Sequence, residues 1–177
     1  MRWADLEAKQ PRLAELGRRR LTDPGVVLVA TIRLDGTPRV SPVEPLLWGK
    51  DLWTLMGLGS WKVHDLLRDD RILVHSIVTN RDGSEGEYKV RGRAVTEEDP
   101  TVLIACAQEV TARLGWTPEV GRFHLFRIDI EDVTSIRWDD RTNDQFVTRW
   151  PMGVEFVRRG TSATSHGPPA PMTDLLW

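Results

Sequence analysis

Ser60 and Lys62, two residues apart in "GSWKVHDLLRDD", have the types and spacing to hold an anion where a helix begins. Ser60 is a good N-cap, Val63, Leu66 and Leu67 supply an apolar stripe, and Arg68 stands near the C-terminal end, where positive charge is favoured. None of this needs a lysine in the first turn, where free backbone N–H groups and the helix dipole already make the potential positive. With Lys62 added, the turn suits a phosphate. A solvated lysine after an ordinary N-cap accounts for the same residues.

The elements around this turn follow from periodicity. In "WADLEAKQPRLAELGRRRL", Leu6, Leu13 and Leu16 recur at helical spacing around Pro11, which predicts a short helix, a break and a second helix on the outside of the core. "VVLVATIRL" over 26–34 is almost continuously apolar and precedes the turn "DGTP", so a buried strand opens a hairpin. Pro42 and Pro45 cannot donate to a ladder, which makes 39–48 an edge strand or one broken by bulges, with backbone groups free for a ligand. "LWTLM" gives a short strand before the helix at 60–70, and "RILVHSIV" gives another after it.

"YKVRGRAV" alternates, with Tyr88, Val90, Gly92 and Ala94 facing inward and Lys89, Arg91 and Arg93 on a wet basic face. Asp99 and Pro100 start a helix that stops at Gly115 and carries Cys106 on its apolar side as inert core. "RFHLFRIDIEDV", "TSIRW", "DQFVTRW" and "GVEFVRR" are further strands. Six to eight short strands joined mainly by hairpins, with helices inserted, predict a mainly β fold: an antiparallel barrel with peripheral helices. Residues 1–159 form one domain, with 1–22 as a helical segment, and the tail from residue 160 has the composition of a disordered segment. The final Leu-Leu-Trp is apolar enough to dock.

Bulk properties narrow the function. A chain of 177 residues with a net charge of -2 and interspersed charges is not a general polyanion binder, which sets aside nucleic acid and membrane surfaces. One cysteine excludes an internal disulfide and fits a reducing compartment. No apolar run is long enough to span a bilayer, and the first residues lack the apolar core of a signal peptide, so the expected location is the cytoplasm. His64, His75, His124 and His166 show no metal-ligand spacing, and no serine or cysteine nucleophile constellation is present.

The order of these elements is specific. A buried strand, a "DG-x-P" turn, an irregular "RVSPV" strand, a strand ending in "MG", "S-x-K" at a helix start, and "DLLRDDRI" leading into another strand resemble the pyridoxamine 5'-phosphate oxidase-like family over about 24–138. That resemblance implies a split β-barrel of the FMN-binding type. It also implies a homodimer binding FMN, or in some branches the deazaflavin F420, in a groove at the subunit interface; some relatives of this fold bind or degrade haem. By resemblance, Arg39, Val40, Ser41 and Pro42 lie along the flavin ring, Met56 and Gly57 pass beside it, and Ser60 and Lys62 hold the phosphate. In the following segment Trp138 and Trp150 are expected to pack in the core or at a dimer interface, with stacking on a flavin or flat substrate as the alternative, and Arg39 would offer positive charge to the reduced ring.

The arginine-rich C-terminal signature of the true oxidases is missing; "FVRRG" at 156–160 does not replace it, so pyridoxamine phosphate is not the expected substrate. The expectation is a flavin or deazaflavin oxidoreductase that moves a hydride to or from a small unsaturated or quinone-like molecule. The alternatives are a flavin- or haem-binding module that stores, senses or scavenges without turnover, and an empty barrel acting as a dimeric scaffold.

Overall fold

A computed structural model describes residues 1–172 of the chain. Two N-terminal helices, α1 (Trp3–Lys9) and α2 (Pro11–Thr22), lead into β1 (Val27–Ile32), β2 (Pro38–Val43), β3 (Pro45–Trp48) and β4 (Asp51–Gly57). Helix α3 (Trp61–Arg68) follows, then β5 (Arg71–Ser76), β6 (Glu87–Glu97), α4 (Pro100–Leu114) and the long β7 (Phe123–Trp138). The described chain closes with β8 (Gln145–Trp150), β9 (Val154–Ser162) and β10 (Ser165–Pro171).

Every strand pairing is antiparallel, in the order β10-β9-β8-β7-β6-β5-β1-β2, with β4 joining β3 to β7. The first half of β7 lies between β4 and β6, and its second half between β6 and β8. Seven strands, β3-β4-β7-β6-β5-β1-β2, therefore curl into a split antiparallel barrel, while β8, β9 and β10 run on as an arm from the far half of β7. The barrel stays open between β2 and β3. There the chain passes straight through Glu44, and Pro42 and Pro45 interrupt the ladder.

One core fills the barrel with Val27, Val29, Val74, Val90, Phe126 and Ile128, all essentially inaccessible. A second lies under α4, where Cys106 and Val110 meet Leu46, Trp53, Phe123 and Leu125. Asp99 caps α4 by accepting from the Thr101 amide at 2.8 Å, and Gly115 ends it at φ 73°, a conformation that favours glycine.

Three expectations are corrected. Helices α1 and α2 do not merely lie outside the core: Trp3, Leu6, Leu13 and Leu21 complete it, and Pro11 serves as the first residue of α2. Leu67 is not part of the α3 stripe but is 53% exposed, because the face of the short helix that meets β1 carries Asp65, paired there with Thr31. The segment from residue 160, expected to be disordered, completes β9 and forms β10; its prolines are tolerated because β10 is outermost and pairs only with β9. The Leu-Leu-Trp end lies outside the described residues.

Candidate functional site

The sheet and α3 together build the turn that the sequence singled out. Strand β4 ends at Gly57, Gly59 takes φ 72° to reverse the chain, and Ser60 stands at the N-cap of α3 with extended dihedrals of -69° and 141°. Its hydroxyl makes no capping bond. The amide of Val63, which such a hydroxyl would bind, already donates to the Ser60 carbonyl at 2.9 Å, and His64 donates to the same oxygen at 3.2 Å. Ser60 Oγ is thus buried without a hydrogen-bond partner, and such a group is uncommon enough to need an explanation. The amides of Trp61 and Lys62 occupy the first two helical positions, where no preceding helix carbonyl accepts them.

Beside this turn is a cleft of about 430 Å³. Pro24, Gly25 and Val26 bring the entry of β1 to it, Pro42, Val43 and Glu44 the end of β2, and Leu55, Met56 and Gly57 the end of β4, with Lys62 reaching in from α3. Lys62 is half-buried and makes no ion pair among the described residues. Glu44 is the one carboxylate in the lining. A phosphate-sized anion in the cleft would therefore meet the Lys62 ammonium, backed by the almost inaccessible Met56, while the free helix-end amides and the buried Ser60 hydroxyl belong to the adjoining turn.

Of the residues the sequence nominated, the structure gathers Pro42, Met56, Gly57 and Lys62 around this cleft, with Ser60 beginning the same turn. Val40 and Ser41 are on β2 but are not part of the lining: Val40 faces outward and is 60% exposed, and Ser41 shares the inner side with Arg39 and Val43. Arg39 lies elsewhere. Its Nε donates to Asp65 Oδ2 at 2.7 Å, and Thr31 Oγ1 donates to the same oxygen at 2.8 Å, so Arg39 is paired with α3 instead of facing Lys62. Burial pushes the Asp65 carboxyl up, but the hydrogen bonds from Arg39 and Thr31 outweigh that, and its pKa lies below the ordinary carboxylate value.

Trp138 pairs with Gln145 at the far end of β7, fourteen residues beyond His124, which is opposite Met56. It is half-buried at the root of the arm and does not line the cleft. Trp150 packs against the main core, the first of the uses expected for it. The sequence reading did not nominate Pro24 and Gly25 before β1, Val26 at the start of the expected buried strand, Glu44 between Pro42 and Pro45, or Leu55. It also missed a second cleft across α3, described below.

The remaining polar candidates are occupied. The basic face of β6 is matched by acids: Arg91 and Arg93 pair with Glu131, Arg93 with Asp70, and Lys89 with Glu87. Among the described residues no group of three or more His, Cys, Asp or Glu is placed to hold a metal ion, and no helix is long and apolar enough to cross a membrane.

A sequence profile described as pyridoxamine 5'-phosphate oxidase matches residues 13–137. No curated protein matches the chain. Solved structures share the fold at low identity. A pyridoxamine 5'-phosphate oxidase-related, FMN-binding protein from Nostoc punctiforme superposes with a TM-score of 0.60 at 14% identity, over 86% of this chain and 96% of that one. A haem-binding protein from Mycobacterium smegmatis gives 0.59 at 18% identity, over 78% of this chain and 58% of that longer one. A protein described as F420 reductase gives 0.51 at 18% identity, over 66% of this chain and 94% of that one.

Proposed function

The chain belongs to the pyridoxamine 5'-phosphate oxidase family, and from that premise we propose that it binds FMN or F420 in the cleft beside Lys62 and acts as an oxidoreductase. The observation that carries this reading is the buried, unpartnered Ser60 hydroxyl next to the unpaired Lys62 at the first turn of α3. The donor set fits a ligand with a phosphate at one end and a flat ring at the other. Lys62, Ser60 and the free amides would hold the phosphate, while Pro42 and the backbone at Met56 and Gly57 would lie along the ring.

Bound there, FMN or F420 would supply hydride transfer to or from a small unsaturated or quinone-like molecule. The chain's own part is to bind and orient. Met56, Leu55 and Val43 keep water from one side of the cleft, and Lys62 adds positive charge that favours an anionic ligand. Arg39 is left out of this role because its guanidinium is paired with Asp65. Haem is less well suited, since no histidine lines the cleft to act as an axial ligand.

A homodimer is part of the same proposal, and two features support it. Strand β2 pairs on one side only, and its exposed Val40 would gain cover from a second copy. The cytoplasm fits the free thiol of Cys106.

The test is a titration of the full chain with FMN, F420 and haemin, followed by absorbance and fluorescence, with Lys62→Ala alongside. Tight binding of one flavin, weakened about tenfold or more in the variant, supports the reading. Reoxidation of the reduced, bound flavin by a quinone faster than in free solution identifies an oxidoreductase; unchanged reoxidation identifies a binding module. Equal flavin affinity of the variant and the parent rules out this site.

A further inference from the structure

Helix α3 separates two clefts that share no lining residue. The second, of about 420 Å³, lies between α3 and the β1–β2 turn. Trp61 forms part of its wall and is 72% exposed, an unusual state for an indole, with His64 edge-on to it at 6.0 Å between ring centres. Leu34 across the cleft is 85% exposed. Trp61 and Leu34 therefore give a lining of mainly charged residues an open aromatic and apolar face.

Charged groups enter this surface unevenly. Three guanidinium groups line it, from Arg33, Arg39 and Arg68, against the carboxylates of Asp35 and Asp65. Both carboxylates are already engaged: Asp65 by Arg39 and Thr31, and Asp35 by the amide and hydroxyl of Thr37 at 3.0 and 2.6 Å. Arg68 spends one nitrogen on the carbonyl of Ile32. The terminal nitrogens of Arg39, and the whole guanidinium of Arg33, make no hydrogen bond among the described residues. Spare planar donors beside a spare aromatic face match a ligand with a flat ring and a carboxylate, since guanidinium forks pair with carboxylates and rings stack on indole.

We propose that this second cleft binds a small aromatic carboxylate, with its ring on Trp61 and its carboxylate on Arg33 and Arg39. The site does not depend on what fills the first cleft.

The probe is 2-naphthoate, titrated into the full chain and followed by tryptophan emission. Saturable binding is expected in the range of about 0.1–1 mM. Trp61→Phe should remove most of the emission change, and Arg33→Glu should weaken binding about tenfold. Both residues are exposed, so both variants should fold as the parent does, and circular dichroism checks this. Neutral 2-naphthalenemethanol should bind at least about tenfold more weakly, and Lys62→Ala should bind 2-naphthoate as the parent does. The proposal is overturned by the absence of saturation up to about 10 mM, by equal affinity for the neutral analogue, or by a loss in Lys62→Ala matching that in Arg33→Glu.

Discussion

Arg39 on β2 and Asp65 on α3 form an ion pair at 2.7 Å, and Thr31 on β1 donates to the same carboxylate oxygen at 2.8 Å. Three elements thus meet on one oxygen, and the helix that carries Lys62 is fixed to the strand that carries Pro42. Asp65 is 5% exposed, so removing its partner leaves a buried carboxylate short of a donor. Arg39→Ala should cost about 2 kcal/mol in urea unfolding, below the largest buried-pair values because the arginine side chain is itself 22% exposed.

The same pair predicts a pH dependence. The folded-state pKa of Asp65 is depressed, so its contribution is complete above the unfolded carboxylate value of about 3.9 and is lost as pH falls through the folded value. The stability difference between the parent and Asp65→Asn should therefore be constant from neutral pH down to about pH 5 and shrink below about pH 4. A difference that instead narrowed between pH 6 and pH 8 would assign the coupling to another group.

Gly17 and Tyr88 make a second inter-element contact with a sharp consequence. A Cβ at Gly17 would stand 2.2 Å from the Tyr88 ring, so α2 packs on β6 only because that position has no side chain. Gly17→Ala should destabilise by about 3 kcal/mol or prevent folding, despite alanine's better helix propensity. The Tyr88 hydroxyl is buried with no hydrogen-bond partner, and burial raises its pKa. Tyr88→Phe should therefore leave stability unchanged or raise it by up to about 1 kcal/mol, measured by the same unfolding curves.

Cys106 should be chemically silent in the folded protein. It is fully buried on the inner face of α4, and burial, reinforced by Glu109, pushes its thiol up to about 11. Ellman's reagent at pH 8 should react at the rate of unfolding, and at full speed only in denaturant. A fast phase in native protein would mean that α4 lifts from β4 and β7.

Much of the barrel could be read from the sequence because its strands are short apolar runs bounded by turns, with β6 adding a clean alternation of Tyr88, Val90, Gly92 and Ala94 against Lys89, Arg91 and Arg93. The β10 strand could not be. Its prolines and small residues carry no periodic signal, and its order comes from pairing with β9, a tertiary effect. Arg39 shows the limit for site residues. Its place in the resembling motif was visible, but its partner Asp65 is 26 residues away in sequence, and only the packing of α3 on β1 reveals that its Nε is held by Asp65, away from the cleft beside Lys62. Leu67 failed for a related reason: eight residues give barely two turns, too few for the apolar positions to fix which face turns inward.

Ser60 offers the sharpest separation between a helix start and a binding turn. An ordinary N-cap serine replaced by alanine costs about 1 kcal/mol. Here the hydroxyl caps nothing and is buried unpaired, so Ser60→Ala in the ligand-free protein should be neutral or slightly stabilising. If the hydroxyl is kept for a phosphate, the same change should weaken FMN or F420 binding several-fold, and the rise in melting temperature at saturating flavin should shrink accordingly. The two measurements together decide the matter. Lost stability without ligand would make Ser60 a structural cap after all, and unchanged stability with unchanged flavin affinity would leave the phosphate to Lys62 and the helix amides alone.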